Sequence, residues 1–253
     1  MNKELLLKTI SMNGLLLKPD FPAVITDFEM AGSSNGWPGR QDGLFYRTYS
    51  RHEVSYPKDS SWHVSGDNMT WGYALTLNQT SDYEISKNRL FLDDSEYFMY
   101  TTHLENSTFV SKRVGVDEKF IFPAHDRTFA ESQLPHEPFG GVQSLQIYEL
   151  APVFKYGEDE FVILGELDKF VSMSSVRFTA IILEENGLQV KLNGAVDEVV
   201  NFSWANLASG EVFTVQEKMK EEHGTIKITI NQMYSSNTLL TLELLILTIM
   251  IIL

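Results

Sequence analysis

The stretch Val142–Phe178, VQSLQIYELAPVFKYGEDEFVILGELDKFVSMSSVRF, decides the fold. Two strand-like runs, Leu145–Tyr156 and Phe161–Leu167, flank the turn-forming Gly157-Glu158-Asp159-Glu160. Leu145, Ile147 and the Tyr148-Glu149-Leu150 step alternate apolar and polar side chains, the period-2 mark of a half-buried strand. A third strand is expected after Asp168–Ser175, which makes the stretch the middle of an antiparallel β-domain. It contains no catalytic motif.

Downstream the pattern continues. Val176, Phe178, Ala180 and Ile182 return on one face, and Asn186-Gly187 reads as a type I′ hairpin turn with positive φ at both positions. Leu188, Val190 and Leu192 follow, and Asn193-Gly194 turns the chain again. Val200, Phe202 and Trp204, then Phe213 and Val215, then Ile226, Ile228 and Ile230 complete a meander. Short strands with frequent turns imply an antiparallel sheet with one wet face, hence a mainly β, sandwich-like domain.

Upstream, strands are expected at Leu44–Tyr49, Trp71–Leu77, Tyr83–Ser86, Tyr97–Thr102, Thr108–Ser111 and Lys119–Phe122. Arg51–Asp67 and Pro123–Gly141 read as surface loops. Lys3–Met12 has helical spacing in Leu6, Leu7 and Ile10, with Asn13-Gly14 as its stop, and Gly14–Lys18 reads as a buried strand. The loop Ala31–Gly43 is the best internal boundary. The expected organisation is therefore a helix-strand piece over residues 1–30, a β-domain over 31–234 and an apolar tail over 235–253.

Composition bounds the function. A chain of 253 residues with 43% apolar side chains can bury a substantial core. A net charge of −14 argues against nucleic-acid binding by phosphate neutralisation. Cysteine is absent, which removes disulfides, a thiolate nucleophile and Cys-based zinc. The start, Met1–Lys8, has too short an apolar run for a signal peptide, so a cytoplasmic or membrane-associated chain is expected. Thr238–Leu253 is apolar apart from its threonines and Glu243, which leaves three readings open: a short membrane anchor, a lipid-anchor signal or a mispredicted gene end. As a helix it would span roughly 24 Å, short of the roughly 20 residues a bilayer needs.

No motif carries chemistry by itself. Lys18-Pro19-Asp20 has the look of a nucleophile at a strand end, but glycoside cleavage needs a second carboxylate opposite, and none can be placed; a strand-exit turn is expected. The six histidines make neither His-x-His nor His-Glu-x-x-His. The acidic turns Glu158-Asp159-Glu160 and Asp93-Asp94-Ser95-Glu96 lack calcium-loop spacing. No glycine-rich phosphate loop and no G-x-S-x-G elbow occurs, and no cofactor or metal is expected. Trp71 and Trp204 fall on strand faces and read as core, whereas Trp37 and Trp62 lie in loops and are the candidate carbohydrate-stacking residues. Sequons start at Asn68, Asn78, Asn106 and Asn201.

Lys3–Met30 (KELLLKTISMNGLLLKPDFPAVITDFEM) resembles the end of the catalytic barrel in raffinose synthase and α-galactosidase-like glycoside hydrolases. Glu4–Ile10 matches that family's last helix, Gly14–Lys18 its following strand, and Pro22 to Asp27 its closing segment. Asp42–Asn78 is similar to the first strands of the family's C-terminal β-domain, and Tyr148–Val153 and Ile163–Phe170 to its late strands. The segment before Asp27 departs from the family's Arg-Pro-Thr-Arg-Asp. The family's catalytic aspartates lie on earlier barrel strands, so no catalytic residue carries over. The resemblance implies a non-catalytic β-domain of a glycosidase or galactosyltransferase-like protein in carbohydrate metabolism, inactive alone. The other expectation is a carbohydrate-binding or membrane-tethered module.

Overall fold

A computed structural model describes residues 8–20, 24–25, 45–57, 68–77, 82–101, 110–123 and 145–234. Trp37, Trp62, the sequons at Asn78 and Asn106 and the tail Thr238–Leu253 lie outside the described residues. The protein is mainly β. Its strands are β1 (Val24–Ile25), β2 (Phe45–Ser55), β3 (Asn68–Leu77), β4 (Tyr83–Ile85), β5 (Tyr97–Thr101), β6 (Val110–Val114), β7 (Phe120–Phe122) and β8 (Leu145–Tyr156). They continue with β9 (Asp159–Gly165), β10 (Phe178–Glu184), β11 (Gly187–Asn193), β12 (Val199–Asn206), β13 (Glu211–Lys218) and β14 (His223–Thr229). A short helix, α1 (Ile230–Tyr234), follows.

The main sheet runs β13-β12-β9-β8-β3-β2-β10-β11-β14, with β1, β5 and β6 off this path and β4 paired to β7 separately. β8 is its pivot. Leu145 to Leu150 pair with β3, Val153 to Tyr156 pair with β9, and Tyr148 to Pro152 pair with β5 on the other edge. A proline inside a central strand would normally forfeit a ladder bond. Val153 gives its N–H to Glu96 on the β5 side, so Pro152 faces the other edge, in the gap where β3 has left and β9 has not begun. The missing N–H is therefore harmless.

Apolar side chains collect on both faces of β3 and β8. Met69, Trp71 and Tyr73 of β3 join Phe154, Phe161, Phe178 and Phe202 in one core. Ala74, with Tyr148 and Leu150 of β8, joins Leu92, Tyr97, Phe120 and Phe122 in a second. The expectation of one wet face fails here for that reason: β3 and β8 are flanked by apolar side chains on both sides. One strand pair, β10 with β2, is parallel rather than antiparallel.

The N-terminal expectation also changes. Residues 8–17 form a small hairpin, not the end of a helix and a free strand: Ile10 bridges Leu16, and Leu17 gives its N–H to Thr9. Gly14, at φ +78, reverses the chain, and the Ser11 hydroxyl takes the Leu15 N–H at 3.1 Å. Such local side-chain bonds compete with a helix. At the β10–β11 hairpin the two-residue turn is Glu185-Asn186, and Gly187 at φ +143 is the first strand residue. Phe91 and Asp197 are the non-glycine residues with positive φ among those described, so Asn186 is not left-handed and the type I′ reading is corrected. Position 187 excludes a side chain, because a Cβ there would meet the Ile228 carbonyl oxygen at 2.0 Å.

Gly165 ends β9 at φ +73 and lies under the segment joining β9 to β10, where an added Cβ would stand 2.2 Å from the Ser172 carbonyl oxygen. Gly165→Ala is expected to cost about 2 kcal/mol or more, combining the left-handed backbone with a displaced segment. A urea midpoint matching the wild type would refute that expectation.

Candidate functional site

Alternation places Glu149 on the face of β8 that looks into the larger core, in register with Tyr73 on β3 and Tyr100 on β5. The carboxyl thus stands in a row between two tyrosines. The segment from Glu166 to Arg177 closes over the row. Ser172 donates its hydroxyl to Glu149 Oε2, and Tyr100 donates to the same oxygen at 2.9 Å. The Met173 N–H bonds the Tyr73 hydroxyl at 3.2 Å, and the Met173 carbonyl is 2.9 Å from His52 Nε2. Trp71, edge-on to His52, donates its indole N–H to Ile163 at 2.8 Å.

Glu149 is 1% exposed, and Tyr100 and Ser172 are wholly enclosed. Burial pushes the Glu149 carboxyl up to about 8, against the opposing hydrogen bonds from Ser172 and Tyr100, so it holds its proton at neutrality. Burial also raises the Tyr73 and Tyr100 phenols and lowers His52. The row is a neutral hydrogen-bonded network. A general acid must reach substrate, and the bonds described for these groups run to Ser172, Leu164 and Met173 inside the fold.

A second cluster surrounds Arg177, which is fully buried. Its Nε donates to Glu166 at 2.8 Å, Nη2 to Glu198 at 2.6 Å, and Nη1 to the Asn193 carbonyl at 2.7 Å. Burial opposes the guanidinium charge, but the two carboxylates outweigh it and hold Arg177 above its ordinary value. Glu166 is pushed up to about 7 by burial despite Arg177, while Arg177 overcomes the burial of Glu198 and lowers it. Gly194 is glycine because a Cβ would sit 2.8 Å from Arg177 Nη1.

Both clusters fix the N-terminal segment. Glu198 also takes the Met12 N–H at 3.2 Å, Phe170 donates its N–H to Lys8, and Ser174 donates to the Lys18 carbonyl at 2.8 Å. Asp20 accepts the Arg51 N–H at 2.6 Å and the Ser175 hydroxyl. Its carboxylate is a strut between segments, and among the described residues no second acid is bonded to it.

The candidate stacking residues Trp37 and Trp62 fall outside the described residues, so the site cannot be built on them. Trp71 and Trp204 are core, as expected, at 1% and 4% exposure. Of the acidic turns, Glu160 pairs with Arg113 at 2.6 Å, and Asp93 accepts the Tyr97 hydroxyl at 3.1 Å. No grouping of three His, Asp or Glu fit for a metal occurs among the described residues. No helix among them is long and apolar enough to cross a membrane. Sequence reasoning missed Glu149, Ser172, Arg177, Glu166 and Glu198. The usable signal for Glu149 was its apolar company, Ile147 and Tyr148 before it and Leu150 to Phe154 after it.

No protein-family model matches this sequence, and no curated protein matches it.

Proposed function

We propose that the chain is a non-catalytic, sandwich-like β-domain of a glycoside-hydrolase-like protein of the raffinose synthase and α-galactosidase kind, acting in carbohydrate metabolism as a rigid accessory module. One observation carries the reading: Glu149, Glu166, Arg177 and Glu198 are enclosed and bonded to neighbouring groups, and the segment they secure is bonded to residues 8–20. Hydrolysis of a glycoside needs two carboxyl groups facing a common opening roughly 5–10 Å across. Glu149 lies against Ser172 and Tyr100, and Glu166 and Glu198 lie against Arg177. Asp20 is occupied by Arg51 and Ser175. Such groups stiffen a domain and hold the incoming chain to it.

The test is release of a chromogenic group from an aryl α-galactoside by the purified chain. The expected rate equals the uncatalysed one. Release that disappears in Asp20→Asn or in Glu149→Gln would overturn the reading, because either carboxyl would then be doing chemistry.

A further inference from the structure

The face of β2 opposite Ser50 and His52 carries Arg47, Tyr49, Arg51 and then the exposed Glu53 in line. Phe91, which follows a 3-10 turn at Lys87–Leu90, lies over this line and is 54% exposed. Its backbone is left-handed at φ +58, an uncommon state for an aromatic residue, held by its N–H on the Asn88 carbonyl at 3.1 Å. The Arg47 guanidinium sits 4.6 Å over the Phe91 ring, the Arg51 guanidinium 5.6 Å over Tyr49, and the two rings are 6.0 Å apart. Arg47 Nε has no hydrogen-bond partner although it is buried. Asp20 engages Arg51 through the backbone N–H, not the guanidinium.

A guanidinium stacked on a ring keeps its edge donors for a planar oxyanion, and a carboxylate fits that edge bidentately. Arginine and aromatic residues are also the side chains that dominate interface energies. The chain as a whole is acidic, at −14, so two arginines bracketing two rings are a local exception, ended by Glu53, that selects a partner of opposite sign over positions 47 to 51. Spacing narrows the class. A strand rises about 3.3 Å per residue, so Arg47 and Arg51 are about 13 Å apart with Tyr49 midway. A second extended chain repeats that interval at its own positions i, i+2 and i+4.

We propose that this row docks an extended acidic segment of a partner protein, with carboxylates at i and i+4 on Arg47 and Arg51 and an apolar or aromatic side chain at i+2 on the Tyr49 and Phe91 rings. The proposal stands apart from the glycoside-hydrolase reading and survives its failure.

Fluorescence anisotropy with a labelled synthetic peptide whose core is Glu-Ser-Phe-Ser-Glu tests it on the full chain. Saturable binding is expected, falling as salt rises. An isomer with its two acids adjacent is expected to bind roughly tenfold more weakly, as are the variants Arg51→Ala and Phe91→Gly. Glycine suits the left-handed backbone at position 91, so that variant keeps its fold while losing the ring. Equal affinity for both peptides, equal affinity in the variants, or no saturation by wild type at about 1 mM would overturn the proposal. So would polygalacturonate binding that Phe91→Gly abolishes while the peptide stays unbound, which would assign the row to acidic sugar.

Discussion

Arg177→Ala is expected to lower the melting temperature by on the order of 10 °C, if the variant folds at all. Arg177 is fully enclosed, and its removal leaves Glu166 and Glu198 buried without the guanidinium that pairs them. Breaking a buried pair from one side costs about 3–5 kcal/mol, mostly as the stranded charge rather than as lost attraction. A domain of this size shifts by about 2–4 °C per kcal/mol. The loss extends beyond the cluster, because Glu198 also holds Met12 and Ala195 by their backbone N–H groups. Arg177→Lys separates charge from geometry. It restores the charge but cannot fork between two carboxylates and the Asn193 carbonyl, so an intermediate melting point is expected. Differential scanning calorimetry at pH 7 reads both. A melting point for Arg177→Ala within about 2 °C of wild type would show that the buried carboxylates find protons or partners elsewhere.

Much of the fold is legible because strand periodicity survives wherever one face is buried. The apolar pattern of Leu145–Tyr156 marks β8 at its observed limits, and alternation with turn residues marks the β10–β11 and β12–β13 hairpins. The errors cluster where tertiary contacts override local pattern. Arg51–Ser55 reads as loop from its polar residues, yet it is strand because β2 continues against β3 and borders β10. Lys3–Met12 has helical spacing, but from Lys8 onward Ser11, Asn13 and Gly14 fold the chain into a hairpin that docks on Glu198 and Phe170. The buried polar clusters are the least legible. Arg177 and Glu198 are 21 residues apart, and Tyr100 and Glu149 are 49 apart, so nothing in local spacing links them. Alternation puts Glu149 on the same face as Leu145 and Ile147, but the tyrosine and serine that bond its carboxyl come from distant segments and leave no local mark.

Glu149→Gln is expected to flatten the fall in stability that the wild type shows as pH rises from about 5 to 8. The sign follows from the raised carboxyl. The group titrates near 4.5 when exposed and at about 8 when folded. Below the lower value both states carry the proton, and Glu149 makes no difference to folding. Between the two values the unfolded chain releases its proton while the folded one keeps it, so stability declines through this window and levels off above the upper value. The magnitude is on the order of a few kcal/mol, since each tenfold gain in the carboxyl's hold on its proton corresponds to about 1.4 kcal/mol. Glutamine keeps the shape and leaves an oxygen to accept from Tyr100 and Ser172, so near pH 5 the variant is expected to match wild type. Near pH 8 it is expected to melt higher, because no proton has to be held or lost. Glu166, pushed up to about 7, gives a slope of the same sign, but it is present in both proteins and drops out of their difference. Identical pH profiles for the two proteins would mean that Glu149 is ionised in the fold and that its unpartnered Oε1 has a countercharge or water at hand. A variant less stable at every pH would instead make the carboxyl's own hydrogen bonds, not its proton, what closes the segment over the sheet.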